Sequence, residues 1–178
     1  MVASGSFERA TSVACHDRMV SMVEAVTGGS SSDGLAEVAR LLHDFNVEYH
    51  EPTLPPVELA ARLAELIEGD HATVLLARAP ETGVAIGVAV MRVQRSVWSR
   101  ALEVYLAELY VVPSRRGQGY GRELITEAMR VAHERGADYA FLITSEDDRL
   151  AQRLYEGAGF RRTEGEGGPL MLAYERDL

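Results

Sequence analysis

The chain has 178 residues, 47% of them apolar, which is enough for one domain with a proper core. Its net charge of −9 argues against nucleic acid as a partner, since such binders need a basic stripe, and favours a cationic one. The longest apolar runs, such as Val84 to Met91, are strand-sized, and no apolar stretch near the start is long enough for a secretory signal; a cytoplasmic protein with no membrane partner is expected.

Residues 1–20 lack periodicity and read as a loosely ordered leader ahead of a domain spanning 21–178. Ser21 to Thr27 fits a short strand and Gly28 to Ser32 a loop. Asp33 is placed to N-cap a helix whose apolar positions Leu35, Val38, Leu42, Phe45 and Tyr49 recur at helical spacing. Pro52, Pro55 and Pro56 break it, and a second helix is predicted from Val57 to Glu68 with Leu59, Leu63 and Ile67 on one face. The period then changes. Thr73–Ala77 and Val84–Val93 read as strands around a Pro80–Gly83 turn, and a long strand, Ala101–Val112, follows the solvated segment Arg95–Arg100. Pro113 closes that strand, and a glycine-rich turn opens a helix ending near Gly136. Tyr139–Thr144 is a short strand and Asp147–Glu156 a helix. Phe160–Thr163 and Pro169–Tyr174 are two last strands, joined by the Gly165–Gly168 loop. This order implies an α/β fold with a mixed sheet.

The densest chemical signal is the run from Leu109 to Gly121, an apolar strand entering a glycine-rich turn directly before a helix. Such a turn points backbone N–H groups into one space, where the helix N-terminus adds partial positive charge. Glycines keep side chains out of the way, and Arg115, Arg116 and Arg122 add full charges, which together make a pyrophosphate cradle. The turn lacks the Gly-Lys-Ser/Thr ending of a P-loop, and its glycines are spaced two apart rather than as Gly-x-Gly-x-x-Gly. The single cysteine, Cys15, has no disulfide partner, and the five histidines show no metal-ligand spacing, so no metal site is expected.

Arg116-Gly117-Gln118-Gly119-Tyr120-Gly121 resembles the Arg/Gln-x-x-Gly-x-Gly/Ala signature of the GNAT superfamily of acetyl-CoA-dependent N-acetyltransferases. The segment from Ala151 to Phe160, AQRLYEGAGF, is similar to the second signature of that superfamily, Ala-x-x-Leu-Tyr-Glu-x-x-Gly-Phe. Their order fits as well, with one helix and one strand between them, and the resemblance runs from about Ser21 to the C-terminus. It implies a three-layer α/β/α fold whose mixed sheet splays between the Ala101–Val112 and Tyr139–Thr144 strands to admit acetyl-CoA as cosubstrate. It further implies acetyl transfer to a primary amine by direct attack, without an acyl-enzyme.

Site residues follow from the same resemblance. Tyr110, Val111 and Val112 would hold the cofactor arm; the backbone of Val111 and Val112 would pair with the pantetheine, and the Val111 N–H would polarise the thioester carbonyl. Backbone N–H groups from Arg116 through Gly117, Gln118, Gly119, Tyr120 and Gly121 to Arg122 would hold the pyrophosphate. Tyr155 matches the general acid that protonates the departing thiolate, a role that suits a phenol still protonated at neutral pH. Asp148 stands where the family often has asparagine; it can accept hydrogen bonds from the cofactor arm or cap its helix.

For the base, strand alternation puts Glu108 on the same face as Leu102, Val104 and Leu106, where a carboxylate is costly unless it is wet, paired or functional. The resemblance places an acidic general base near that position. It assigns the acceptor pocket to the Phe45–Thr53 loop, with Glu48, His50 and Glu51, and to the Glu164–Pro169 loop. Those carboxylates suit an ammonium-bearing acceptor, or they are a solvated helix end. A small cationic amine is the first acceptor class and a protein N-terminus or lysine the second. The competing reading is a non-catalytic acyl-CoA-binding module, and a homodimer is implied by the resemblance alone.

Overall fold

The computed structural model describes residues 22–27 and 32–177, so the leader expected at 1–20 lies outside the described residues. One sheet runs in sequential order through β1 (Met22–Val26), β2 (Ala72–Arg78), β3 (Ala85–Arg95), β4 (Leu102–Val111) and β5 (Ala137–Phe141). The first four strands are antiparallel and β5 runs parallel to β4. The parallel step needs a crossover, supplied by helix α3 (Tyr120–Glu134). The other helices are α1 (Ser32–Glu48), α2 (Pro56–Glu68) and α4 (Arg149–Gly157). Among the described residues no helix is long and apolar enough to cross a membrane.

Two apolar layers sandwich the sheet, which is why β2 and β3 read as near-continuous hydrophobic runs rather than alternating ones. Val74, Leu76, Val88, Val90 and Tyr110 pack against Val38, Leu41, Leu42 and Leu63 of α1 and α2. Leu75, Ala89, Met91, Val104 and Leu106 pack against Leu124, Ile125, Ala128 and Ala132 of α3. The three-layer α/β arrangement is the expected one.

The differences from the sequence reading lie at element ends. Helix α1 starts at Ser32, so Asp33 sits in its first turn instead of capping it. β5 covers 137–141 where 139–144 was expected. The last two strands do not form as such: Thr163 and Leu170 make one antiparallel bridge, flanked by Glu164 N–H to Pro169 O (2.9 Å) and Met171 N–H to Arg162 O (3.0 Å). Leu170, Met171 and Leu172 are apolar in succession and all exposed, so no buried face fixes a register for them.

Candidate active site

β4 is paired to β3 as far as Val111, but to β5 only from Leu102 to Tyr105. The outer edge of Leu106–Val111 therefore borders a gap in the sheet. Val112 N–H donates to Ile86 O (2.9 Å), and antiparallel alternation then turns the N–H and C=O of Val111 away from β3, toward that gap. The Val111 carbonyl accepts from Arg116 Nε (2.9 Å).

The other two residues expected on the cofactor arm are committed elsewhere. The carbonyl of Val112 accepts from Arg115 N–H (2.9 Å), so both main-chain groups of Val112 are used within the protein. The Tyr110 ring is buried in the α1/α2 layer, 5.4 Å from that of Phe45, and its hydroxyl donates to Glu48 Oε2 (3.2 Å). Of the three, Val111 faces the gap.

The turn after β4 opens with a short 3-10 turn, Pro113–Arg115. Gly117 and Gly119 then take φ of 75° and 99° with nothing close to their missing side chains, so backbone conformation and not crowding requires glycine there. Gly119 is the N-cap of α3 and supplies no side-chain oxygen, which leaves the first-turn N–H groups of Tyr120, Gly121 and Arg122 without a side-chain cap. With the helix dipole behind them, they present uncapped N–H donors at the partially positive end of α3. Gly121 has a packing reason as well: a Cβ there would lie 3.1 Å from Leu154 Cδ2, so its absence lets α4 approach α3. The Tyr120 side chain is buried against Ala79 and Ile86, and Gln118 Nε2 donates to Ser114 O (3.3 Å).

The charges are distributed unlike the sequence expectation. Arg115 is ion-paired with Glu81. Arg116 forms a fork with Glu48, at 2.7 and 2.8 Å, and so turns its charge away from the cradle. Arg122 has no carboxylate partner among the described residues, and its guanidinium lies 3.7 Å from where a Cβ of Gly157 would be. It stands in the first turn of α3. The same fork removes Glu48 from the carboxylates available to an acceptor ammonium. Asp148 N-caps α4, its Oδ1 accepting from Ala151 N–H (2.9 Å), so it acts as the cap.

Glu108 is on the opposite face from the one alternation predicts. β3 and β4 pair Val90 with Glu108 but Met91 with Leu106, which leaves Ala107 as the extra residue of a β-bulge. The bulge reverses the alternation. Val104 and Leu106 face α3, while Glu108 shares the face of Tyr110, toward α1 and α2. Half-buried there, its carboxyl is pushed above the usual carboxylate range by burial, and the charge of Arg92 offsets part of the rise.

Tyr155 of α4 lies on the α3 side of the sheet. It packs with Leu154 and Phe160 against the α3 layer, its ring 6.2 Å from that of Phe160. Burial pushes its phenol up to about 12, and the negative charges of Asp148 and Glu108 add to the rise. Tyr155 and Glu108 thus lie within each other's electrostatic reach, from opposite faces of the sheet. A cavity of about 840 Å³ extends outward from Tyr155 between β5, α4 and the C-terminal segment, where Tyr139, Phe141 and Leu172 line it. The Glu164–Pro169 loop contributes Glu164 and Gly165 to its rim.

Comparison with known proteins gives this geometry its context. The Acetyltransferase (GNAT) family matches residues 36–160, well over half of the chain. The chain belongs to the GNAT acetyltransferase family. Members of this family use acetyl-CoA. Over 89 residues the chain is 30% identical to thialysine N-epsilon-acetyltransferase of Bos taurus, a match covering 49% of this chain and 52% of that protein. It therefore spans about half the length of that relative. It is 28% identical over 103 residues to aminoglycoside N(6')-acetyltransferase type 1 of Salmonella typhimurium, covering 56% of this chain and 70% of that one. A solved structure from Arthrobacter sp. FB24, assigned as an acetyltransferase, superposes with a TM-score of 0.76 at 34% identity, covering 96% of this chain and 100% of that one.

Within this GNAT chain, sequence reasoning missed an aromatic row beside Glu108. Tyr105 stacks on Phe141 with ring centroids 5.1 Å apart, and Phe141 on Tyr139 at 6.1 Å. The phenol of Tyr105 is raised by burial and by Glu108. The period-two spacing of Tyr139 and Phe141 was a usable signal, but the pairing partner on β4 follows only from the parallel register.

Proposed function

We propose that this chain transfers the acetyl group of acetyl-CoA to a primary amine by direct attack, and that the acceptor is a small cationic amine. The observation that carries the reading is the gap beyond Tyr105, with the Val111 amide turned toward it, Glu108 on one face of the sheet and Tyr155 in the apolar layer on the other. Acetyl-CoA supplies a thioester carbonyl, to whose carbon the acceptor nitrogen bonds as the C–S bond breaks.

Each residue then has a task. Glu108 takes the proton that an ammonium must lose before it can attack, through water, and its raised pKa brings it closer to a working base at neutral pH. Val111 N–H donates to the carbonyl oxygen as it becomes an oxyanion. Tyr155, protonated throughout the physiological range, donates to the sulfur as thiolate charge develops. The burial and negative field that raise its pKa also raise the basicity of a thiolate placed beside it, which keeps the two groups matched. Gly117 to Arg122 hold the pyrophosphate through main-chain N–H groups and the Arg122 charge.

The acceptor class rests on charge and on relatives. The chain carries −9 overall, and the gap is bordered by Glu108 and an aromatic row that suits a cation. Two relatives are named for acetylating amines, thialysine and aminoglycosides. The test is release of CoA thiol from acetyl-CoA across a panel of diamines, polyamines, aminoglycosides and peptides with free N-termini. Turnover with a small amine and none with peptides is expected. Turnover confined to peptides would move the acceptor to the protein class.

A further inference from the structure

Glu48 has no task in that reading, yet its carboxylate is among the most tightly held in the described chain. It ends α1, where the helix dipole disfavours negative charge, and the last turn of α1 contains no basic residue to compensate. Three hydrogen bonds hold it instead: two from the Arg116 fork, at 2.7 and 2.8 Å, and one from the Tyr110 hydroxyl at 3.2 Å. The Arg116 hydrogen bonds hold the Glu48 carboxyl below the usual carboxylate range.

Arg116 in turn is fixed on every side. Its Nε donates to Val111 O (2.9 Å), and its guanidinium lies 5.5 Å from the centre of the Tyr110 ring. This arginine is the first residue of the glycine turn that leads into α3. From Gly117 to Gly119 the turn is thinly held, because both glycines have open space around them and Gln118 makes one long side-chain bond to Ser114 O (3.3 Å), until Tyr120 buries its ring against Ala79 and Ile86. The Arg116 side chain thus ties the start of that turn to the body of the fold, as the buried Tyr120 ring ties its end, and Glu48 is what the Arg116 tie grips.

The pair is not placed to do much for stability. The Glu48 and Arg116 side chains are 30% and 39% exposed, and ion pairs at such exposure contribute little to folding. Nor is it placed to bind phosphate, since the guanidinium is directed toward α1 and Tyr110. What the fork does supply is direction, because a bidentate pair fixes orientation as well as distance.

We propose that Glu48 is a positioning residue for acetyl-CoA: by clamping Arg116 it holds the Arg116–Arg122 turn in the shape that aims its N–H groups at the pyrophosphate. This rests on the acetyl-CoA reading above. The clamp also ties the cofactor turn to the end of α1, and so to the loop that follows it.

The test is calorimetric titration of CoA into the wild type, Glu48→Gln, Arg116→Gln, the double variant and Glu48→Asp, with Tm recorded for each. Each single neutral variant is expected to weaken CoA binding about tenfold, through lost preorganisation, with Tm nearly unchanged. The double variant should bind no more weakly than the poorer single one, because Glu48 acts only through Arg116. Glu48→Asp keeps the carboxylate and should recover most of the loss. The dependence of affinity on salt should keep its wild-type slope in Glu48→Gln and flatten in Arg122→Gln, which removes a phosphate-facing charge. A Glu48→Gln protein that binds CoA like the wild type, or singles whose losses add in the double, overturns the inference alone. A wild type that does not bind CoA overturns the reading beneath it, and the inference with it.

Discussion

From Ala72 to Arg78 and from Ala85 to Met91, β2 and β3 are buried almost without a break, whereas across the gap the residues of β5 and α4 are at most part-buried. The two sides of the proposed active site are therefore built to different standards. The backbone groups that would grip acetyl-CoA belong to β4 and the start of α3, which lean on two apolar layers. The proposed acid, Tyr155, stands on a nine-residue helix held chiefly by Leu154, Tyr155 and Phe160. Such a division keeps the cofactor frame rigid and leaves the acid side, which must accommodate a substrate, cheaper to move. It also predicts that chemistry and stability separate cleanly under mutation.

The largest effect is expected from Tyr155→Phe, which removes the hydroxyl and leaves the ring. Turnover measured by thiol release should fall by about 10²–10⁴, the range for a lost general acid, while CoA affinity stays near the wild-type value. Unchanged turnover would remove Tyr155 from the mechanism. On the rigid side, Leu75→Ala deletes a fully buried side chain between β2 and α3. It should cost about 2–5 kcal/mol in chemical denaturation, the usual range for such a cavity. A much smaller loss would mean that this half is less tightly packed than the burial pattern says.

Glu108→Gln sharpens the comparison, because activity and stability should move in opposite directions. A carboxyl whose folded pKa lies above its unfolded value binds protons more readily in the folded state, so its contribution falls as pH rises through that interval. At neutral pH the ionised Glu108 therefore detracts from stability, and the glutamine variant should be slightly more stable there than the wild type, with the difference vanishing in acid. Its turnover should drop roughly 10–100-fold, with loss of the acid limb of the rate profile. A destabilised glutamine variant at neutral pH would contradict the burial argument. The smallest effect is expected at Leu150→Ala on α4, where the side chain is 72% exposed and the change in stability should stay within about 0.5 kcal/mol.

The same division governs what could be read from the sequence. Where burial enforces periodicity, as in α1, α2, β2, β3 and α3, the elements were legible to within a few residues. The two short motifs also led to the turn and to Tyr155, because glycine at positive φ and a tyrosine within a helix signature are local properties. What was not legible depends on partners. The face of Glu108 was reversed by one extra residue in β4, and a bulge is a property of strand pairing that alternation along one strand does not reveal. Arg116 read as a phosphate ligand because its sequence neighbours are glycines, whereas its binding partner, Glu48, is 68 residues away. Asp148 read as a cofactor contact or a cap, and the hydrogen bond to Ala151 N–H favours the cap. The final strands are reduced to the Thr163–Leu170 bridge, and with Leu170, Met171 and Leu172 all exposed no buried face extends it.

The measurement that tests the central claim most directly is calorimetric titration of the full chain with acetyl-CoA, CoA and NAD under identical conditions. The account predicts one site that takes acetyl-CoA and CoA with similar affinity and rejects NAD, since on the proposed reading the gap beside Val111 takes an extended arm and the start of α3 its pyrophosphate. Failure of acetyl-CoA and CoA to bind, or equal binding of NAD, would contradict it, because the turn before α3 would then be a strand-to-helix connection and nothing more.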